Sequence, residues 1–156
     1  MFIRRAEKKD IEKIKDLLKQ VNNVHNAGRP DLFKKDCLKY NDSELDELIA
    51  DNGRPVFVAD ENGAVLGYAF CVLTEHKNDN NLADMKTLYI DDLCVDENIR
   101  GKHIGKTIYE YVKNYAGEEG CYNITLNVWE CNKNAKAFYE KCGLKPQKTT
   151  LEDILR

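Results

Sequence analysis

The segment Leu93-Cys94-Val95-Asp96-Glu97-Asn98-Ile99-Arg100-Gly101-Lys102-His103-Ile104-Gly105-Lys106-Thr107 constrains this chain most: an apolar strand that passes through a short glycine-bearing turn straight into a helix. A strand feeding a helix in this way commits the chain to an α/β architecture. It also prepares a site. The first turn of a helix leaves backbone N–H groups without partners and carries partial positive charge, which suits it to hold phosphate. Gly101 and Gly105 allow close backbone approach, and Arg100, Lys102 and Lys106 bring fixed positive charge. A phosphate-bearing ligand is one reading; an ordinary strand-to-helix turn decorated with solvated cations is the plainer one. Gly101 to Thr107 also approaches the nucleotide-binding pattern G-x-x-x-x-G-K-[ST] but is one residue short. That loop wraps phosphate with a fixed number of N–H groups, so a deletion breaks it.

The rest of the chain alternates strand and helix signals. Phe2–Arg5 reads as a strand, followed by a helix on Ile11, Ile14, Leu17, Leu18 and Val21 that Asn22 to Pro30 is expected to break. A second helix is expected from Ser43 as N-cap, with Asp46 at its third position, to the stop at Asn52-Gly53. Residues 55–59 and 64–73 form a hairpin across Asn62-Gly63, Lys77 to Asp84 a polar loop, and Thr87 to Val95 a strand. Within that strand Asp91-Asp92 is a local inconsistency, two adjacent carboxylates where burial is expected. A helix from Ile104 ends at Gly117 and Gly120, Tyr122 to Trp129 is a strand, Lys133 to Cys142 a helix closed by Gly143, and the tail from Leu144 is expected to return as a last strand. No repeat or linker interrupts this order, so residues 1–156 read as one domain.

Composition removes several classes of function. With 24 Lys plus Arg against 27 Asp plus Glu, the net charge is −3, which argues against a nucleic-acid groove. No apolar run approaches the ~18 residues that a membrane span requires. The opening residues lack the apolar stretch of a secretory signal, and the cytoplasm is the expected compartment. The six cysteines, at 37, 71, 94, 121, 131 and 142, contain no Cys-x-x-Cys pair, so reduced thiols rather than disulfides or a metal site are expected.

Arg100-Gly101-Lys102-His103-Ile104-Gly105 resembles the [Q/R]-x-x-G-x-[G/A] signature of the GNAT superfamily of acetyl-CoA-dependent N-acetyltransferases. The one departure is His103, where that signature has Gly. Tyr89 to Val95 is similar to the family's fourth strand, and Asn132 to Leu144 to its N-x-x-A-x-x-[LF]-Y-x-x-x-G-[FL] segment. The resemblance implies a GNAT fold, a mixed and mostly antiparallel sheet of about six to seven strands with about four helices, splayed between strands 4 and 5. It further implies that Leu93, Cys94 and Val95 hold the pantetheine arm and thioester of acetyl-CoA, and that N–H groups from Arg100 through Gly101, Lys102, His103, Ile104 and Gly105 to Lys106 cradle its pyrophosphate. Asn132 corresponds to the side chain that bonds the pantetheine, Tyr139 to the tyrosine aimed at the thioester sulfur. A homodimer would be in keeping with the resemblance.

These roles suit direct acyl transfer with acetyl-CoA as co-substrate and no metal. An amine with a reference pKa of about 10.4 must lose a proton before it can attack, and a carboxylate can take it. Val95 N–H is the expected donor to the thioester oxygen, and Tyr139 to the leaving sulfur. Strand neighbours face opposite ways, so only one carboxylate faces the thioester unless a bulge intervenes; Asp92 is preferred as general base or amine anchor and Asp91 is second. The acidic pair is similar to that of polyamine and diamine acetyltransferases, favouring a small cationic acceptor. A protein N-terminus or lysine is the alternative acceptor, and a non-catalytic acyl-CoA sensor the alternative from another class.

Overall fold

Each strand and helix of the computed structural model, which describes residues 1–156, follows from a local pattern, and the departures have local causes. Strand β1 (Phe2–Arg5) leads through a 3-10 turn at Lys8–Asp10 into helix α1 (Ile11–Gly28). Ile14, Leu17 and Leu18 form its fully buried stripe. The helix does not break at Asn22 as expected, because its asparagines bond outside the helix rather than competing for its backbone. Asn22 Nδ2 donates to the Lys34 carbonyl at 2.6 Å, Asn26 Nδ2 to that of Phe33 at 2.7 Å, and Asp36 N–H to Asn23 Oδ1 at 2.8 Å. Helix α2 (Asp42–Ala50) is capped two residues earlier than expected: Asn41 is the N-cap, in a reciprocal capping box with Glu44.

Strands β2 (Val56–Glu61) and β3 (Ala64–His76) form the expected hairpin, with Asn62 and Gly63 at φ +54° and +85°. Strand β4 (Met85–Val95), helix α3 (Ile104–Glu118), strand β5 (Asn123–Leu126) and helix α4 (Lys133–Lys141) complete the order. Gly143, at φ +94°, ends the last helix. The sheet runs β1-β2-β3-β4-β5, antiparallel except for the parallel β4–β5 pair.

Two expectations fail together. The sheet has five strands rather than six or seven, and the tail from Leu144 forms no strand. Strand β5 stops at Leu126 instead of Trp129, and beyond Leu144 the tail makes no backbone–backbone hydrogen bond.

Two cores sandwich the sheet. On one face α1 and α2 cover Val56, Val58, Tyr68, Phe70 and Cys94; on the other α3 covers Phe57, Ala69, Leu88 and Ile90. Gly67 permits the sheet to close against α3, since a Cβ there would lie 2.6 Å from the Cys94 carbonyl oxygen and 3.0 Å from Ile108 Cδ1. No helix is long and apolar enough to cross a membrane, and no group of three or more His, Cys, Asp or Glu is placed to hold a metal.

Candidate functional site

The site begins where β4 and β5 part. Their pairing covers only Thr87–Ile90 against Asn123–Leu126, so β4 from Asp91 to Val95 has no neighbour on that side. Asp96 N–H donates to the Leu66 carbonyl at 2.9 Å, and Val95 lies opposite Gly67. The alternation of an antiparallel ladder then turns the N–H and C=O of Val95 and Leu93 away from β3 and into the splay. Cys94, opposite Tyr68, spends its backbone on β3 instead. Its thiol points into the α1 core, 3.6 Å from the Leu17 carbonyl, and burial pushes it up to about 12, far from a nucleophilic thiolate.

The acidic pair is reconciled with the strand by a bulge. The β3–β4 register shifts between Phe70 and Cys71, which pairs Phe70 with Asp92 and Cys71 with Ile90 and leaves Asp91 as the extra residue. Both carboxylates therefore emerge on the α1–α2 face. Tyr68 hydroxyl donates to Asp92 Oδ2 at 2.6 Å. Lys39 Nζ donates to Asp91 Oδ1 at 2.9 Å, and Tyr40 hydroxyl donates to Asp91 Oδ2. Burial dominates the Asp92 carboxyl and lifts it to about 6, with the neighbouring Asp91 charge adding and the Tyr68 bond and Lys39 charge opposing. Tyr68 is itself held well above the ordinary phenol value, by burial first and then by the charge of Asp92. Sequence reasoning missed Lys39, Tyr40 and Tyr68. Tyr68 carried a signal, since it shares a strand face with Phe70; Lys39 and Tyr40 sit in an irregular segment between α1 and α2 and carried none.

The glycine-bearing turn forms as a left-handed corner. Gly101 has φ +90° and His103 φ +57°, directly before Ile104 opens α3. The position where the family signature has Gly is thus one whose backbone favours glycine, and His103 adopts it at a cost. Thr107 N–H donates to the His103 carbonyl, so the N–H groups of Ile104, Gly105 and Lys106 stand at the open helix end. Arg100, Lys102 and Lys106 are exposed around it and form no ion pair. A Cβ on Gly105 would rest 3.4 Å from the Phe138 ring, ordinary contact, which suits a signature position that takes Gly or Ala. Below the turn Asp96, ion-paired to Lys13 at 2.6 Å, is held at about 2.

Across the splay, Asn132 caps α4, its Oδ1 accepting from Ala135 N–H at 3.1 Å. Tyr139 is half-buried and its hydroxyl makes no hydrogen bond within the chain. Desolvation raises it above the ordinary phenol value, and the Asp92 charge adds to the rise, which brings the two groups into one electrostatic environment. The segment from His25 to Phe33 lies partly within α1. The rings of His25 and Phe33 meet tilted at 4.9 Å, and Phe33 meets Trp129 edge to face at 5.3 Å. A cleft of about 360 Å³, lined by Val24, His25, Gly28, Cys131 and Asn132, opens beside them.

Comparison with known proteins agrees with this arrangement. Residues 11–144 match the Acetyltransferase (GNAT) family. A single-site mutant of the BH1408 protein from Bacillus halodurans superposes over 100% of both chains with a TM-score of 0.95 and 34% identity. YhfO of Bacillus subtilis, an uncharacterized N-acetyltransferase, is 26% identical over 92% of this chain and 89% of its own. Glucosamine 6-phosphate N-acetyltransferase from Arabidopsis thaliana is 39% identical over 59 residues, a match spanning 38% of each protein.

Proposed function

The chain belongs to the GNAT acetyltransferase family, and from that premise we propose that it moves the acetyl group of acetyl-CoA to a small primary amine by direct attack. The observation that carries this reading is the β4 backbone at Leu93 and Val95, left without a strand partner beyond Ile90 and leading to the open N-terminus of α3. In this reading Ile104, Gly105 and Lys106 N–H bind the pyrophosphate together with the exposed cations Arg100 and Lys102, Asn132 holds the pantetheine, and Leu93 orients it. Val95 N–H donates to the thioester oxygen as charge develops there.

Asp92 serves as the base. Removing a proton from an ammonium is on the order of 3 kcal/mol less uphill for a carboxyl near 6 than for one at 3.8. At about 6 it is still mostly ionised at neutral pH. Tyr139, held above its ordinary value, cannot surrender its proton fully to a thiolate; it hydrogen-bonds the leaving sulfur instead. Once Asp92 has taken the amine proton its charge is gone, which removes one of the causes that raise Tyr139 and strengthens that donor as the thiolate departs.

The acceptor reading changes in one respect from the sequence expectation. Both oxygens of Asp91 are occupied, by Lys39 and Tyr40, so the pair does not offer two free carboxylates to a diamine or polyamine. One carboxylate with a cation beside it suits a single ammonium on a neutral or anionic body. The amino-sugar phosphate named for the Arabidopsis relative is therefore the first acceptor to test. Thiol release from acetyl-CoA across amino sugars, amino-sugar phosphates, diamines and lysyl peptides is the experiment. Release with mono-amines supports the reading, whereas release with peptides alone, or with no amine, overturns it.

A further inference from the structure

The corner that precedes α3 is strained and weakly packed. His103 stands at φ +57°, and left-handed backbone at a residue with a side chain persists only where its surroundings over-determine it. Packing does not supply that constraint, because among residues 97–103 only Ile99 is even partly buried. The hydrogen bonds that tie this segment down reach Val95, Asp96 and Thr107, which flank it in the chain, and one distant residue, Gln20 of α1. Gln20 Oε1 accepts from Glu97 N–H at 3.0 Å, and its Nε2 donates to Asp96 Oδ1 at 3.4 Å. Asp96 is the buried junction. Its Oδ1 also accepts from the backbone N–H and the Nδ2 of Asn98 at 3.0 and 2.9 Å, and Lys13 Nζ donates to its Oδ2 at 2.6 Å. Beside the junction α1 and Glu97-Asn98 border a cleft of about 500 Å³ whose apolar lining is Val24 and Ala27 alone, so hydrogen bonds rather than packing bridge the two elements there.

We propose that Gln20 is a positioning residue for the cofactor, a strap from α1 that holds this corner in the conformation in which the N–H groups of Ile104, Gly105 and Lys106 converge on the pyrophosphate. The role rests on the acetyl-CoA reading of the corner given above. Its physical reason is preorganisation: N–H groups bind an anion well when they are already aimed, since ordering a loop at the moment of binding subtracts from affinity. Helix α1 is a firm anchor for such a strap, with Ile14, Leu17 and Leu18 fully buried. Lys13 and Gln20 lie two helical turns apart and so share one face, which is why both reach Asp96. The junction also keeps its own charge away from the ligand. Lys13 neutralises Asp96 from the α1 side, and Arg100, Lys102 and Lys106 stay exposed around the corner. Asp96, held at about 2 by that partner, remains ionised throughout the neutral range, so the strap does not loosen with pH there.

Gln20→Met tests this, because it keeps the length of the side chain and removes its amide. Calorimetry with CoA on the full chain should show a dissociation constant raised about 3- to 10-fold over the parent. Amide hydrogen exchange should quicken at residues 97–103 while α1 and β4 keep the parent's protection. With an amine that releases thiol, KM for acetyl-CoA should rise by the same factor while kcat stays within about twofold, the split expected of a residue that acts on cofactor binding and not on the chemical step. An unchanged dissociation constant for CoA overturns the proposal. Weaker binding accompanied by faster exchange throughout α1 and the sheet overturns it equally, since the substitution then acts on general stability. A parent chain that does not bind CoA overturns the acetyl-CoA reading itself, and the strap's role with it.

Discussion

Replacing Asp92 by Asn should make the protein more stable and nearly inactive, and the pH dependence of the gain is the decisive part. The Asp92 carboxyl titrates at about 6 in the folded protein against an ordinary 3.8. Burial of the ionised form therefore opposes folding at neutral pH by on the order of 3 kcal/mol, at 1.36 kcal/mol per pKa step. Asn keeps an oxygen to accept the Tyr68 hydroxyl bond and carries no charge to desolvate, so on the order of 1–3 kcal/mol should be recovered. Below pH 3.8 the carboxyl is protonated in folded and unfolded chains alike, and the substitution should change little. Between about 4 and 6 the unfolded chain gives up this proton before the folded one does, so the parent loses stability as pH rises and the gap opens. Above the folded value both states are ionised and the gap is flat. Urea unfolding of parent and variant at acid, intermediate and mildly alkaline pH measures this curve, while thiol release should fall by about 10²–10⁴-fold. A variant equally or less stable than its parent at alkaline pH would refute the desolvation argument, and undiminished turnover would remove Asp92 as base.

Tyr139→Phe should lower kcat by about 10- to 100-fold while leaving the dissociation constant of acetyl-CoA near that of the parent, read by single-turnover kinetics and calorimetry. Lys39→Gln removes a cation that opposes the rise of Asp92, so the acid limb of the kcat/KM profile should move upward from about 6; an unmoved limb would exclude Lys39 from the electrostatics of the site. His103→Gly relieves a side chain held at φ +57° and should raise unfolding stability by about 1 kcal/mol, measurable as a shift in the urea midpoint. Gly67→Ala forces a methyl group to 2.6 Å from the Cys94 carbonyl, a backbone atom that cannot swing aside, and should cost about 1–3 kcal/mol by the same assay.

Much of the molecule was legible in the chain itself because local chemistry governs it. Asn62-Gly63 dictates a two-residue hairpin wherever it stands, the spacing of Ile14, Leu17 and Leu18 dictates one buried helical stripe, and Gly101 marks a corner that L side chains resist. The family resemblance likewise joined the α3 turn, Asn132 and Tyr139 in one candidate site. The sequence could state that Asp91 and Asp92 conflict with a regular strand, and even that a bulge would resolve it. Only the register between β3 and β4 decided that the bulge falls there and turns both carboxylates to one face.

Tertiary structure alone also decided how each carboxylate is held. Asp91 and Asp92 are adjacent and chemically alike, and they differ only because a loop distant in sequence delivers Lys39 and Tyr40 to one, while a cross-strand neighbour delivers Tyr68 to the other. The tail shows the same limit from the other side. It was expected to return as a strand, but a strand requires an edge to pair with, and the tail pairs with none. Residue type sets what each segment can do; the partner that satisfies its backbone and its charge is chosen by contacts across the fold.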